Sequence, residues 1–151
     1  MNGKDRHFGC KLEYRFAQWL NFLKDVGYIR EWDYENEDCK FFFENVEYGS
    51  PKYTIDFVVY HHDDRKEYYE TKGELQGPHV TKFRRLREQQ PDIVINLAVM
   101  TIPKKHRGRF VSASRFVDRI IQIKKEKLFD QVPNMDWDGT GDVCQVPEKD
   151  K

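Results

Sequence analysis

The sequence of 151 residues is poor in cysteine and lacks any long apolar run. Its three cysteines, Cys10, Cys39 and Cys144, are far apart and form no Cys-x-x-Cys pair, so we expect reduced thiols and neither a disulfide framework nor a zinc site. No stretch approaches the roughly 20 apolar residues of a membrane-spanning helix, and residues 1–6 are too polar for a signal peptide. These absences predict a cytoplasmic protein with no membrane partner.

The chain also lacks net charge, because its 26 Lys and Arg residues balance 26 Asp and Glu residues. Neutrality argues against a nucleic-acid partner, but the charges are segregated along the chain. Residues 104–127 contain nine basic and two acidic residues, whereas residues 31–47 contain seven acidic residues and one lysine. A segregated basic surface can bind the phosphates of DNA, and ordinary solvated charge is the alternative interpretation.

Aromatic residues are abundant, at 15% of the sequence, and they supply enough apolar area for a packed core. The length is that of a single domain, which we place at residues 1–129. Residues 130–151 lose all periodicity and are predicted to form an acidic, flexible tail.

Hydrophobic periodicity predicts helices and strands in the order α-β-β-β-β-α-β-α. Leu12, Phe16 and Trp19 begin a helical stripe that Gly27 is placed to end, and Phe116, Ile120, Ile123 and Leu128 would form the stripe of a last helix. A third helix, around Val80 to Arg87, ends before Pro91. Strands are predicted at 29–34, 40–46, Tyr53–Tyr60, 67–72 and 93–100. This order predicts an α/β or α+β fold in which a mixed central sheet is flanked by helices.

Two strands that are predicted to form a hairpin carry three charged residues: Asp56 on the first strand, and Glu70 and Lys72 on the second. Glu70 and Lys72 point to the same face because side chains alternate along a strand, and pairing brings Asp56 beside them. Mg²⁺ prefers oxygen ligands, so Asp56 and Glu70 can bind it, with the Thr71 carbonyl as a further ligand and Mn²⁺ as a substitute. Lys72 could then hold or deprotonate the attacking water of a phosphodiester hydrolysis.

Thr54-Ile55-Asp56-Phe57 followed by Glu70-Thr71-Lys72-Gly73 resembles the PD-(D/E)XK nuclease superfamily. The aromatic residue after Asp56, the Gly after Lys72 and the following basic helix resemble phage Holliday junction resolvases of the endonuclease I kind and small phage nucleases. The resemblance covers roughly Leu12 to Met100 and implies a restriction-endonuclease-like core and DNA cleavage. The source it suggests is a phage, whose protein would act in the host cell, with a prophage or a mobile element as open alternatives. It also implies that Glu13 joins the metal site. Ile55 stands where family members commonly have Pro.

The resemblance implies an endonuclease that is selective for branched or junction DNA, with branched or double-stranded DNA as its partner. Cleavage of a junction by two symmetric cuts would require a homodimer. Gln76 and His79 are expected near the site. Two alternatives remain open at this point: a branched-DNA-binding module without activity, and a nuclease subunit of a transposition or packaging complex. Glu70 and Lys72 could also be solvent-facing residues of an edge strand. The candidate DNA contacts are Lys82, Arg85, Lys104, Lys105, Arg107 and Arg109.

Overall fold

A computed structural model describes residues 7–139 of the chain. Within this range a mixed five-stranded sheet carries helices on both faces, which confirms the predicted fold class. The helices are α1 (Lys11–Asp25), α2 (Gly77–Gln89) and α3 (Arg107–Ser114); the strands are β1 (Glu31–Tyr34), β2 (Lys40–Phe42), β3 (Lys52–Thr54), β4 (Phe57–Tyr60), β5 (Lys66–Lys72), β6 (Val94–Val99) and β7 (Arg119–Gln122).

The main sheet has the strand order β1-β4-β5-β6-β7. Pairing is antiparallel between β1, β4 and β5, and parallel between β5, β6 and β7. The parallel half needs crossover connections, and α2 and α3 supply them. Strand β5 is therefore central, with a hairpin partner on one side and a parallel partner on the other.

Side chains of the main sheet alternate between two apolar cores. Helix α1 covers one face, where Phe16 packs with Trp32 and Phe57. Helices α2 and α3 cover the other face, where Phe83 packs with Leu97. The α1 stripe predicted from sequence is the buried side of that helix.

The predicted strand Tyr53–Tyr60 is in fact two strands that belong to different sheets. Strand β3 pairs with β2 in a separate two-stranded sheet, whereas β4 joins the main sheet. The chain changes sheets at Ile55 and Asp56, where the Ile55 N–H donates to the carbonyl of Cys39 at 2.9 Å. The uninterrupted β-branched and aromatic sequence hides this break, because both strands have the same composition. The predicted strand at 40–46 is likewise shorter and ends at Phe42.

The predicted last helix is wrong. Helix α3 lies earlier, and residues 119–122 form β7, which pairs in parallel with β6. The β-branched residues Ile120 and Ile121 favour a strand. The Ile121 side chain is fully buried in the core between the sheet and α1. The apolar residues of this segment fit the spacing of a helix although residues 119–122 form a strand, so periodicity alone predicted the wrong element.

Residues 130–139 pack against the domain, so packing extends past the boundary predicted after residue 129. The ring of Trp137 lies 5.3 Å from that of Phe129, and its indole N–H donates to Asp130 at 3.0 Å. The rest of the predicted tail, residues 140–151, lies outside the described residues. Among residues 7–139, no helix is both long enough and apolar enough to cross a membrane.

The prediction of three reduced thiols is wrong for one cysteine. Cys10 is disulfide-bonded, whereas Cys39 is free and fully buried. Cys144 lies outside the described residues. Cysteine spacing in the sequence carries no information about such a pairing, because contacts between distant residues depend on the fold.

Candidate metal and catalytic site

The end of the β4–β5 hairpin brings together the three residues that the sequence singles out. The register pairs Phe57 with Tyr69, which places Asp56 beside Glu70. Glu70 is 2% exposed and Asp56 is 9% exposed, so both carboxylates are buried. The Lys72 Nζ lies 3.2 Å from the Oε2 of Glu70. The predicted convergence of Asp56, Glu70 and Lys72 is present in the structure.

Backbone hydrogen bonds fix the orientation of both carboxylates. The Asp56 N–H donates to the Oε1 of Glu70 at 2.9 Å. The N–H and the hydroxyl of Thr71 each donate to the Oδ2 of Asp56, also at 2.9 Å. One oxygen of each carboxylate is thus held by the protein. Glu70 is not a solvent-facing residue of an edge strand, because it is buried on the central strand β5.

Helix α1 contributes the third predicted acid. The side chain of Glu13 accepts a hydrogen bond from the Tyr34 hydroxyl, which comes from the end of β1. Gly9 packs so closely that an added Cβ would lie 2.8 Å from the Oε2 of Glu13. Glu13 therefore faces the sheet and the site, as the family resemblance implied.

Glu35 is a fourth acid that sequence reasoning missed. Oxygen atoms of Glu13, Glu35 and Asp56 lie within 4.8 Å of one another. Glu35 follows the last residue of β1 and has a left-handed backbone conformation, with φ of 46°. Its backbone N–H donates to the carbonyl of Asp56 at 2.9 Å. In the sequence it is one acid among seven in residues 31–47, and nothing there distinguishes it from its neighbours.

Like charges and burial destabilise the ionised carboxylates. Burial, followed by the charges of Glu70 and Glu13, holds the pKa of Asp56 well above its usual range. The pKa of Glu13 and that of Glu35 are raised by burial first and then by neighbouring carboxylates. We call Glu13, Glu35, Asp56 and Glu70 the carboxylate cluster.

Lys72 is the cation that faces this cluster. Burial opposes its charged form, but the charges of Glu70 and Asp56 outweigh burial and raise the pKa of Lys72. The ammonium group is therefore protonated at neutral pH. It offsets one of the four negative charges that the cluster carries when it is fully ionised.

The beginning of α2 adds a neutral donor beside Lys72. The Nδ1 of His79 accepts the backbone N–H of Gln76 at 3.0 Å, which leaves the ring proton on Nε2. Burial and the charges of Lys72 and Lys82 lower the pKa of His79 to about 4. The imidazole is therefore uncharged at neutral pH. Both residues expected near the site lie at this helix start.

The candidate DNA contacts lie in different local environments. Arg85 donates to the carbonyl of Tyr48 at 2.9 Å, and Lys82 lies 5.6 Å from the centre of the Tyr53 ring. Arg107 and Arg109 line different grooves on the two sides of α3. Lys104 and Lys105 are exposed on the short 3-10 helix Lys104–His106 that precedes α3.

Comparisons with known proteins find no match to this chain. This holds for protein-family models, for curated proteins and for solved structures. The similarity to PD-(D/E)XK nucleases therefore depends only on the motif residues and their spacing. The function has to be argued from the geometry of the site.

Proposed function

We propose that the chain is a metal-dependent DNA endonuclease that is selective for branched or double-stranded substrates. The observation that carries the proposal is the placement of Lys72 beside buried, hydrogen-bonded Asp56 and Glu70 at the edge of a hairpin. Phosphodiester hydrolysis needs a cation site, a positioned water and compensation for developing negative charge. These three residues can supply all three requirements.

The donor set fits a hard divalent cation such as Mg²⁺ or Mn²⁺. Asp56 offers a carboxylate oxygen within 4.8 Å of oxygens of Glu13 and Glu35, and Glu70 lies beside Asp56 on the neighbouring strand, where it can bind the ion or one of its water ligands. Burial first, and then the neighbouring carboxylates, raise the pKa of Glu13, Glu35 and Asp56, and a bound divalent cation would counteract both effects. Such an ion would activate a water molecule and polarise the phosphoryl oxygen.

Lys72 acts in this proposal as a charged donor and not as a free base. Its raised pKa keeps the ammonium protonated, so it can orient the attacking water and offset charge on the phosphorane. The uncharged Nε2–H of His79 can donate to a non-bridging phosphate oxygen next to Lys72. The four carboxylates repel phosphate unless the cation is bound, so metal and substrate should bind together.

The test is cleavage of end-labelled four-way junction, flap, single-stranded and linear duplex DNA with Mg²⁺, Mn²⁺ or EDTA. We expect cutting in both metals, none in EDTA, and a loss of roughly 10²-fold or more in Lys72→Ala and Asp56→Asn. Lys66→Ala is the matched control, because Lys66 lies at the opposite end of β5 and is exposed.

Each other outcome identifies a different error. Tight junction binding without cutting in either metal would replace the nuclease with a branched-DNA-binding module. Cutting that appears only after a partner is added would indicate a subunit of a transposition or packaging complex. Cutting that survives both substitutions would place the active site elsewhere. A homodimer, expected only for junction resolution, would be detected by light scattering of the protein with and without junction DNA.

A further inference from the structure

A polar groove separates α2 from α3 on the face of the sheet opposite α1. Three arginines and two hydroxyl side chains line it, and among its lining residues, all within the described range, there is no Asp or Glu. The groove has a volume of about 470 Å³ and is open to solvent. Its lining residues are Gly77, Val80, Thr81, Arg84, Gly108, Arg109, Ser112, Arg115 and Phe116.

Two of the three arginines in this groove have side chains that the protein does not engage. Within residues 7–139, the side chains of Arg84 and Arg115 form no ion pair or hydrogen bond, and both are exposed. By contrast, Arg87 lies on the same helix as Arg84 and pairs with Asp118 at 2.6 Å. Arg84 also borders a second groove that contains Glu44, Glu47 and Glu88. The lining of the α2–α3 groove itself has no acid, so two guanidinium groups whose side chains are not engaged by the protein favour an anionic ligand there.

The groove lies beside the chain segment that leaves the catalytic site. The Nη1 of Arg109 donates to the carbonyl of Leu75 at 3.1 Å, and Leu75 is three residues after Lys72. Gly77, the first residue of α2, belongs to the lining. A strand of nucleic acid whose scissile phosphate lies at Lys72 would therefore reach the groove within its next few phosphates.

We infer that the α2–α3 groove binds successive backbone phosphates of a DNA duplex arm next to the scissile bond. This inference rests on the proposed function and names the surface that positions the substrate. Guanidinium groups bind phosphate oxygens in a bidentate manner, and the hydroxyls of Thr81 and Ser112 can add neutral donors. Phosphate contacts carry no base information, so the groove selects duplex geometry without reading sequence.

The test measures DNA binding in a background that does not cut. The protein carries Asp56→Asn, EDTA is present, and fluorescence anisotropy follows a labelled duplex and a labelled four-way junction. Arg84→Gln/Arg115→Gln should weaken binding of both about tenfold and reduce the slope of log K against log salt by about 2, between about 50 and 200 mM salt. The charge-matched control is Arg30→Gln/Arg65→Gln, which removes two charges near the turn of the β4–β5 hairpin.

Equal weakening in the groove variant and the control would overturn the inference, because only total charge would then matter. An unchanged salt slope in the groove variant would overturn it as well. The side chains of Arg84 and Arg115 form no hydrogen bond or ion pair within residues 7–139, and circular dichroism would check that the double variant is folded. Because binding is measured without cutting, a groove that binds DNA in a protein that never cleaves would retain the inference and refute the proposed nuclease.

Discussion

Strands β4 and β5 carry charged residues at both ends, but the two ends arrange them differently. At the turn, Asp63 lies 2.7 Å from Arg65, and the 3.0 Å pair of His61 and Glu67 is flanked by exposed residues. At the other end, Asp56 and Glu70 are buried together with Glu13 nearby. The turn pairs opposite charges at the surface, whereas the site concentrates like charges in the interior.

The pKa values differ in the same way. Hydrogen bonds from Arg65 lower the pKa of Asp63, so ionised Asp63 is stabilised by the fold. Burial and neighbouring carboxylates raise the pKa of Asp56, so ionised Asp56 is destabilised by the fold. Carboxylates with perturbed pKa values are concentrated at functional sites, and the cation proposed above would compensate for this destabilisation.

The largest expected effect distinguishes the two glutamates of β5, Glu70 at the candidate site and Glu67 near the turn. Glu70→Gln should reduce DNA cleavage by roughly 10²-fold or more, because the amide lacks the charge that binds the cation and faces Lys72. The amide oxygen can still accept the Asp56 N–H, so the fold should persist. Glu67→Gln is the control, since Glu67 bonds Tyr69 and His61 at the other end of the strand. Equal losses in both variants would remove the distinction between the two ends.

A second, intermediate effect concerns stability at neutral pH without metal. The folded-state pKa of Asp56 is raised, so stability falls as the pH rises from about 3.9, the unfolded value, through the folded pKa. Asp56→Asn should therefore melt at a higher temperature in EDTA, where about 1 kcal/mol corresponds to roughly 3 °C at this chain length. The parent protein should gain stability from Mg²⁺, and the variant should gain less.

The matched control for this experiment is Asp63→Asn. The pKa of Asp63 is lowered, so its carboxylate contributes stability above the unfolded pKa and loses it as the pH falls through the folded value. Asp63→Asn should therefore lower the melting temperature slightly or leave it unchanged, with the same response to Mg²⁺ as the parent. A higher melting temperature for Asp63→Asn than for Asp56→Asn would contradict the electrostatic contrast.

The smallest effect tests the acid that the sequence did not reveal. Glu35→Gln should weaken Mn²⁺ binding about tenfold, because Glu35 lies within 4.8 Å of Glu13 and Asp56. Titration calorimetry with Mn²⁺ alone measures this without DNA. Glu37→Gln is the control, since Glu37 pairs with Lys40 on the surface. Unchanged Mn²⁺ affinity in Glu35→Gln would leave Glu35 as an ordinary surface acid.

The sequence predicts the parts of the site that depend on local rules. Alternation along β5 places Glu70 and Lys72 on one face, and a hairpin between neighbouring strands brings Asp56 to them. The position of Glu35 depends on a left-handed residue after β1, and no composition or periodicity signals that conformation. The strand β7 was equally hidden, because its apolar residues also fit a helical stripe and only the parallel pairing with β6 decides between them.

The hairpin also has a consequence for how the site forms during folding. Asp56, Glu70 and Lys72 are separated by a short loop of chain, so their encounter involves little loss of loop entropy. Glu13 belongs to α1 and reaches the cluster only when that helix docks on the sheet. The parallel strands β6 and β7 pair only after longer segments of chain close into loops. We therefore expect Asp56, Glu70 and Lys72 to meet through local contacts early in folding, and Glu13 to join them only when α1 docks on the sheet.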